Sequence, residues 1–527
     1  MIVKDDKYYI RNAWILILVF TLFRLLYSGT FELAPDETNY WQWSRHMAWG
    51  YHDQAPMIAW MIKLSTLFLG HTETAVRLPS VLAMAIASAY LVLISRRWIG
   101  VLAAFNTAVL IHGILLFNVG GLLATPDGLQ AAAWAAASYH VACAYEENKW
   151  SQWITGGLWF GFGMLSKYTM VIFLPGAFLY GLLSKTHRNR LANFSPYFGV
   201  ILGILMFVPV ILWNENNDWN SFRHVAYLGG SNKLFFLSVK YIGDYLGSQA
   251  GLLSPLTFII VLLSWYKALN KKYWNGEWIY AFLFLSSFTM FAGFALLSLH
   301  TRVYGNWPGS AYLTVSVMAA AFFGSKSKYE SHDVISDIGR RMWPWAIGTS
   351  YLLTGIVLLQ AFWPVLPIPI KWDRTSREIY GWSTLGDKAG ELMKTMPNPK
   401  KTFLFGFKYQ IASELAFYTP TQPQTVSINK WERPNVYDYW WKDNDLIGWD
   451  AVGVTYDPHS RTNRLQKIFD HVDPPVKLEI HRNPVFNKDS TRPPVTVFYL
   501  YRAYGFKGGL RWVPTDLSDI RVDLSFD

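Results

Sequence analysis

The sequence has almost no cysteine: Cys143 stands alone among 527 residues. That excludes a secreted scaffold built on disulfides. It is short of charge as well, with 16% Asp, Glu, Lys and Arg against roughly 25% in soluble domains. There is no Walker loop, no HExxH, no GxSxG and no Cys/His spacing for zinc, which removes the commonest nucleotide, metalloprotease and serine-hydrolase readings. Collagen-like, heptad and low-complexity repeats are missing too. What is abundant is apolar and aromatic: 52% hydrophobic residues, with 26 Trp and 34 Phe. An aqueous core cannot hide so many large rings, so the chain reads as a polytopic membrane protein.

The net charge of +11 is unevenly placed. From Trp372 onward 21 Lys and Arg meet 19 Asp and Glu, so the excess sits in the first 371 residues, where cytoplasmic loops collect basic residues. It is not gathered on one accessible face as nucleic-acid binding requires. An apolar run from Ala13 to about Tyr27 follows Lys4, Lys7 and Arg11 without a small-residue cleavage site, and reads as a retained first span starting in the cytoplasm. Ten more runs lie near 78–95, 99–122, 128–144, 152–166, 169–184, 196–213, 252–267, 278–299, 308–323 and 343–362. Most approach the roughly 20 residues a crossing helix needs.

Eleven spans put Arg96-Arg97, Lys149, Lys185 to Arg190, Lys267 to Lys272 and Lys326 to Arg341 inside. Splitting 152–184 at Lys167-Tyr168 is needed for that pattern, and Pro56–Gly70 is too short to cross, so it is expected to be re-entrant or interfacial. The outer face then receives loops 30–77, 123–127 and 214–251. It also receives a C-terminal domain, 372–527, separate from the transmembrane domain 1–371. Runs at Thr402–Phe407, Ala451–Val454 and Val495–Tyr501, with a helical stretch at Leu385–Met396, make that domain a small α/β unit. The fold class is therefore mainly α, a helix bundle of about eleven spans with a C-terminal α/β domain.

The polar residues worth explaining lie in the outer loops. Asp36-Glu37 opens a helix-like stretch, where carboxylates suit the positive end of the dipole. Adjacent residues do not share a helix face, so the two are expected to have different partners. Tyr40, Trp41, Trp43, Trp49, Tyr51 and Trp60 surround them with rings suited to an interfacial belt, a sugar or a lipid. Asp127, in Thr125-Pro126-Asp127-Gly128, ends a turn facing the same side; carboxylates at membrane depth are costly and usually functional. Lys167 interrupts an apolar run and needs a counter-charge, either a carboxylate or a ligand phosphate. Arg24, His300 and Arg302 sit near span ends, where a cation can snorkel. His112, His140 and Cys143 read as core, and Gly156, Gly157, Gly161 and Gly163 as small residues that let helices approach.

With those pieces assembled, the sequence resembles the GT-C superfamily of membrane glycosyltransferases, in the bacterial branch related to protein O-mannosyltransferases and lipid A aminoarabinose transferases. The likeness covers nearly the whole chain. It rests on Asp36-Glu37 with Tyr40-Trp41, the run Gly50-Tyr51-His52-Asp53-Gln54-Ala55-Pro56, and Val76-Arg77-Leu78-Pro79-Ser80. It continues through Thr125-Pro126-Asp127, Lys167-Tyr168 and Asn306-Trp307-Pro308 to Tyr409-Gln410, Glu414 and Tyr418. The family's turn carries Lys or His before paired prolines; Gln54 and Ala55-Pro56 replace that here.

The resemblance implies an inverting transferase taking a sugar from a polyprenyl-phosphate donor to a lipid-linked glycan, a lipid A-type glycolipid or a protein, on the periplasmic face of a bacterial inner membrane. It implies Asp36 as catalytic base. Asp127 is expected to orient the base or acceptor, and Lys167 and Arg302 to meet the donor phosphate, with His300 able to share that load. Glu37 is expected in a structural ion pair, while Tyr40, His52, Asp53 and Tyr168 join the substrate-binding set. No cofactor, required metal or nucleic-acid partner is expected, and membrane lipids surround the chain. A transporter or flippase is the rival; its mark is internal repetition with broken helices at matching positions, and the sequence shows a single break, near Lys167.

Overall fold

The computed structural model describes residues 6–231, 236–325, 333–486 and 492–511; part of the basic cluster Lys326–Arg341 lies outside them. In chain order the helices begin with α1 (Asp6–Tyr27), α2 (Pro35–Arg45), α3 (Met57–Leu69), α4 (Glu73–Trp98), α5 (Val101–Gly113) and α6 (Leu115–Gly120). Next come α7 (Pro126–Glu147), α8 (Trp150–Ser166), α9 (Phe173–Leu183), α10 (Ser195–Glu215), α11 (Asn220–Leu228) and α12 (Val239–Leu253). After α13 (Pro255–Ala268), α14 (Lys271–Asn275), α15 (Trp278–Ser298) and α16 (Ala311–Ala319), the long α17 (Val334–Phe362) leads towards the C-terminal region. Backbone packing divides the chain into two compact units: Met1–Ser28 with Ala48–Val357, and Gly29–Met47 with Leu358–Asp527. The segment carrying α2 thus packs with the C-terminal region.

In the first unit, α1, α4, α10, α15 and α17 are each long and apolar enough to cross a membrane. The pair α12–α13, bent by 107°, adds a sixth if it is one span. Leu18, Leu26, Leu205 and Leu352 are exposed on these helices, as a lipid-facing surface requires. The chain is a multi-pass membrane protein. The other expected spans form shorter or less apolar helices, and 99–122 is not a single one: it breaks between α5 and α6 at Ile114. Loop 214–251 is likewise no simple loop, since it holds α11 and most of α12.

Breaks in a membrane helix free backbone carbonyls that must find partners. At the α5–α6 break Asn118 Nδ2 donates to the carbonyls of His112 and Ile114 at 2.8 and 3.0 Å, and Thr354 Oγ1 to Gly113 at 2.8 Å. Arg24 Nη2 donates to Asn118 Oδ1 at 2.9 Å. Arg24 therefore does not snorkel; it is fully buried and braces the break. At the α12–α13 bend Ser350 Oγ donates to Leu253 O and lies 2.8 Å from Thr257 Oγ1. The break at Lys167 is thus one of several, and the sequence underestimated them.

Close helix packing explains the glycines of α8. A Cβ on Gly157 would fall 2.0 Å from the Gly199 carbonyl oxygen of α10, and one on Gly161 would fall 2.9 Å from Gly203 Cα. Gly157→Ala must push α8 and α10 apart, and overpacking of this kind costs about 1–3 kcal/mol. We expect a matching fall in the thermal midpoint of the detergent-solubilised protein, with Gly120→Ala, which meets no atom within 4 Å, as the contrast.

The second unit adds α18 (Arg374–Glu378), α19 (Trp382–Lys394), α20 (Tyr409–Tyr418) and α21 (Pro458–Ile468). Its strands are β1 (Thr402–Gly406), β2 (Thr425–Ser427), β3 (Asp450–Thr455), β4 (Phe469–Val472), β5 (Val476–Ile480) and β6 (Thr496–Phe506). The sheet order is β2-β1-β3-β6-β4, with β5 also on β6. β1 is parallel to β2 and β3, whereas β6 runs antiparallel to its neighbours. Alternation splits the core. Leu404, Val452 and Val454 pack with α19 and α20 on one face; Phe403, Phe405 and Ala451 pack with Leu465 and Ile468 of α21 on the other.

Candidate active site

In the second unit, Pro35 starts α2 with its fixed φ, and the N–H it lacks would have had no intrahelical partner there. Asp36 and Glu37 follow in the first turn and diverge as their adjacency requires. Glu37 is buried and its Oε2 accepts the Ala34 N–H at 2.9 Å, closing the turn from within. Asp36 is exposed. The buried face of α2, with Thr38, Asn39, Trp41 and Gln42, docks on α20 and β2. Gln42 Nε2 donates to Thr425 Oγ1 and Tyr437 Oη, both at 3.2 Å, and Leu33 N–H donates to Tyr418 Oη at 2.6 Å. Burial pushes the Tyr437 phenol up from its usual value, so it remains a protonated hydroxyl. Tyr40 is half-buried, edge-on to Trp43 at 4.9 Å. The structure thus fixes the backbone beneath Asp36 and leaves its carboxylate facing outward.

The remaining candidates belong to the first unit. α8 stops at Ser166, and Lys167 adopts extended backbone, φ −153°, before a short 3₁₀ turn at Tyr168–Ile172. That turn places Lys167 Nζ 2.8 Å from Asp127 Oδ1, with the lysine side chain 7% and the aspartate 24% exposed. Asn306 Nδ2 donates to the same oxygen at 3.3 Å. Asp127 sits in the first turn of α7, after Pro126. The counter-charge required of Lys167 is therefore a carboxylate of the chain itself.

Helix α11 gathers a second group. Its Ser221 Oγ lies 2.9 Å from Tyr168 Oη, and its Phe222 is edge-on to that ring at 5.3 Å. His224 Nε2 is 3.4 Å from Asp53 Oδ1, and its ring centroid is 5.0 Å from that of His52. Just beyond the helix, the Gly230 carbonyl lies 3.1 Å from His300 Nε2. Arg302 is exposed, its guanidinium 5.7 Å from the Tyr304 ring centre. His52, Asp53 and His224 present ligand atoms within 4.8 Å of one another; two imidazoles and a carboxylate are a donor set that suits zinc with one position open. His224 and Asn306 were not among the expected site residues. The signal for His224 was available in the stretch Asn220–Leu228, which separates polar from apolar residues at helical spacing.

A bundle of apolar helices, several of them broken, joined to a mixed α/β unit defines a class that comparison with known proteins makes specific. Residues 53–213 match the family model described as dolichyl-phosphate-mannose-protein mannosyltransferase. A lipid A galacturonosyltransferase, RgtD of Rhizobium johnstonii, is 23% identical over 59% of this chain; the match spans 65% of that relative's length. The apo crystal structure of ArnT from Cupriavidus metallidurans superposes with a TM-score of 0.64 at 13% identity, covering 93% of this chain and 97% of that one. ArnT bound to undecaprenyl phosphate gives 0.60 at the same identity and coverage. The chain shares the fold of ArnT, and its residues 53–213 resemble the mannosyltransferase family.

Proposed function

We propose that the protein transfers a sugar from a polyprenyl-phosphate donor to a hydroxyl of a lipid-linked glycan, a lipid A-type glycolipid or a protein, at the periplasmic face of a bacterial inner membrane. The observation that carries this is Asp36: an exposed carboxylate in the first turn of α2, next to the buried Glu37, Thr38 and Asn39. The undecaprenyl phosphate of the ArnT complex supports the donor class, and the name of RgtD supports a glycolipid acceptor.

The carboxylate of Asp36 takes the proton of the acceptor hydroxyl as its oxygen attacks the anomeric carbon. The carbon–oxygen bond to the lipid phosphate breaks, and that phosphate leaves with both bonding electrons, a charge that cations stabilise. Single displacement inverts the anomeric centre. In this proposal Arg302, which is exposed, and Lys167, which is paired with Asp127, are the cations assigned to the phosphate. Purified protein offered a panel of polyprenyl-phosphate sugars and total membrane lipid is expected to release free polyprenyl phosphate and form an inverted glycoside. No release from any donor sinks the reading.

The proposed chemistry assigns no step to a metal, although the His52–Asp53–His224 cluster has ligands for one. Turnover is expected to survive dialysis against EDTA. Loss of turnover that zinc restores in wild type, but not in Asp53→Asn, would instead make the cluster part of the machinery.

A further inference from the structure

The α/β unit carries a second polar centre, at the opposite end of α20 from Tyr418. In an open sheet with parallel strands, ligands settle outside the carboxyl ends where neighbouring strands send their connections to opposite faces. β1 and β3 meet that condition: β1 continues into α20 on one face and β3 into α21 on the other. Their carboxyl ends lead into Phe407-Lys408-Tyr409 and Tyr456-Asp457-Pro458, while β2 beside them runs on to Lys430-Trp431-Glu432-Arg433.

Cations on rings line this crevice. The Arg461 guanidinium lies 4.7 Å from the Phe407 ring centre, Arg433 5.5 Å from Tyr409 and Arg464 5.7 Å from Trp431. Lys430 approaches Trp431 at 6.0 Å, and Lys408 is exposed. Glu432, paired with Arg461, and Asp457 are acidic groups among them, and the charge of Glu414 reaches Tyr456. Stacking fixes a guanidinium in plane and leaves its edge for a bidentate anion. Nε and Nη1 of Arg461 are buried and have no hydrogen-bond partner among the described residues. The starts of α20 and α21 add their positive dipole ends at the same crevice, and α20 has no side-chain cap there.

We infer that this crevice binds an anionic saccharide, through the phosphate or carboxylate oxygens of an acceptor glycan. That the saccharide is an acceptor rests on the glycosyltransferase reading; the anion site does not. The ten residues of α20 span roughly 15 Å, and Tyr418 at their far end holds Leu33, three residues before Asp36. The crevice would thus grip an acceptor a few sugar units away from its reacting hydroxyl.

The test is calorimetric titration of the full chain in detergent with inorganic phosphate, glucose 1-phosphate and glucuronate, with glucose as neutral control. The anions should bind and glucose should not; preference between the phosphate and the uronate distinguishes a phosphorylated acceptor from an acidic-sugar one. The double variant Arg433→Gln/Arg464→Gln should bind each anion about tenfold more weakly, the value of one charge-assisted contact, with an unchanged melting profile. Arg461→Gln should match it, and the double variant covers the case in which Arg461→Gln fails to fold. In turnover these variants should raise KM for an anionic acceptor and leave kcat unchanged. Equal affinity in wild type and the double variant, or glucose binding as well as glucose 1-phosphate, overturns the site. Anion binding without turnover of any donor would leave the site standing and remove the transferase reading instead.

Discussion

Asp36→Asn is expected to lower kcat by roughly 10² to 10⁴, the range for removing a positioned base, while the protein folds normally. The separation of the two effects comes from α2. Its buried groups hold the helix: Glu37 closes the first turn and Gln42 reaches Tyr437. Asp36 is exposed, so asparagine at that place keeps the shape of the side chain and removes its negative charge and proton acceptor. Steady-state release of polyprenyl phosphate, together with a thermal melt, reads both quantities. Glu37→Gln should give the reverse pattern, a shifted melt with smaller loss of turnover. Full activity in Asp36→Asn would remove it as base.

Asp127→Asn should be more damaging to stability than its exposure suggests. It leaves the Lys167 ammonium, 7% exposed, without its carboxylate, and breaking a buried pair from one side costs about 3–5 kcal/mol. Lys167→Met strands a carboxylate that is 24% exposed and keeps the Asn306 donor, so its penalty should be smaller. Combining the two removes both charges, and the double variant should melt above Asp127→Asn alone. That recovery, read as a coupling in a double-mutant cycle, is the signature of the pair; simple additivity would show that the 2.8 Å contact contributes little.

Much of this was legible in sequence because it depends on local rules. The divergence of Asp36 and Glu37 follows from helix periodicity, the break at Lys167 from an uncompensated charge in an apolar run, and the closeness of α8 and α10 from the glycines. Strands β1, β3 and β6 and helix α19 fall on the expected stretches for the same reason. Other features depend on partners distant in sequence. Whether Arg24 snorkels or is buried is decided by Asn118, 94 residues away. Asp127 answers the charge of Lys167 from 40 residues upstream, and α11 draws its meaning from Asp53, Tyr168 and His300. The α5–α6 break carries no proline or charge to announce it; Ile114 is apolar like its neighbours, and hydropathy reads straight through.

The partners of α2 bear on synthesis of the chain. Leu33 finds Tyr418 across 385 residues and Gln42 finds Tyr437 across 395. A ribosome adding 5–20 residues per second needs roughly 20–80 s to cover that interval. Until then the helix with the outward carboxylate has nothing to dock on, and Trp41 and Trp43, fully buried in the finished protein, lack their cover. The helix that carries Asp36 is therefore among the first segments translated and among the last to gain its partners, so a chain interrupted before its final sheet leaves that helix without the surface it docks on.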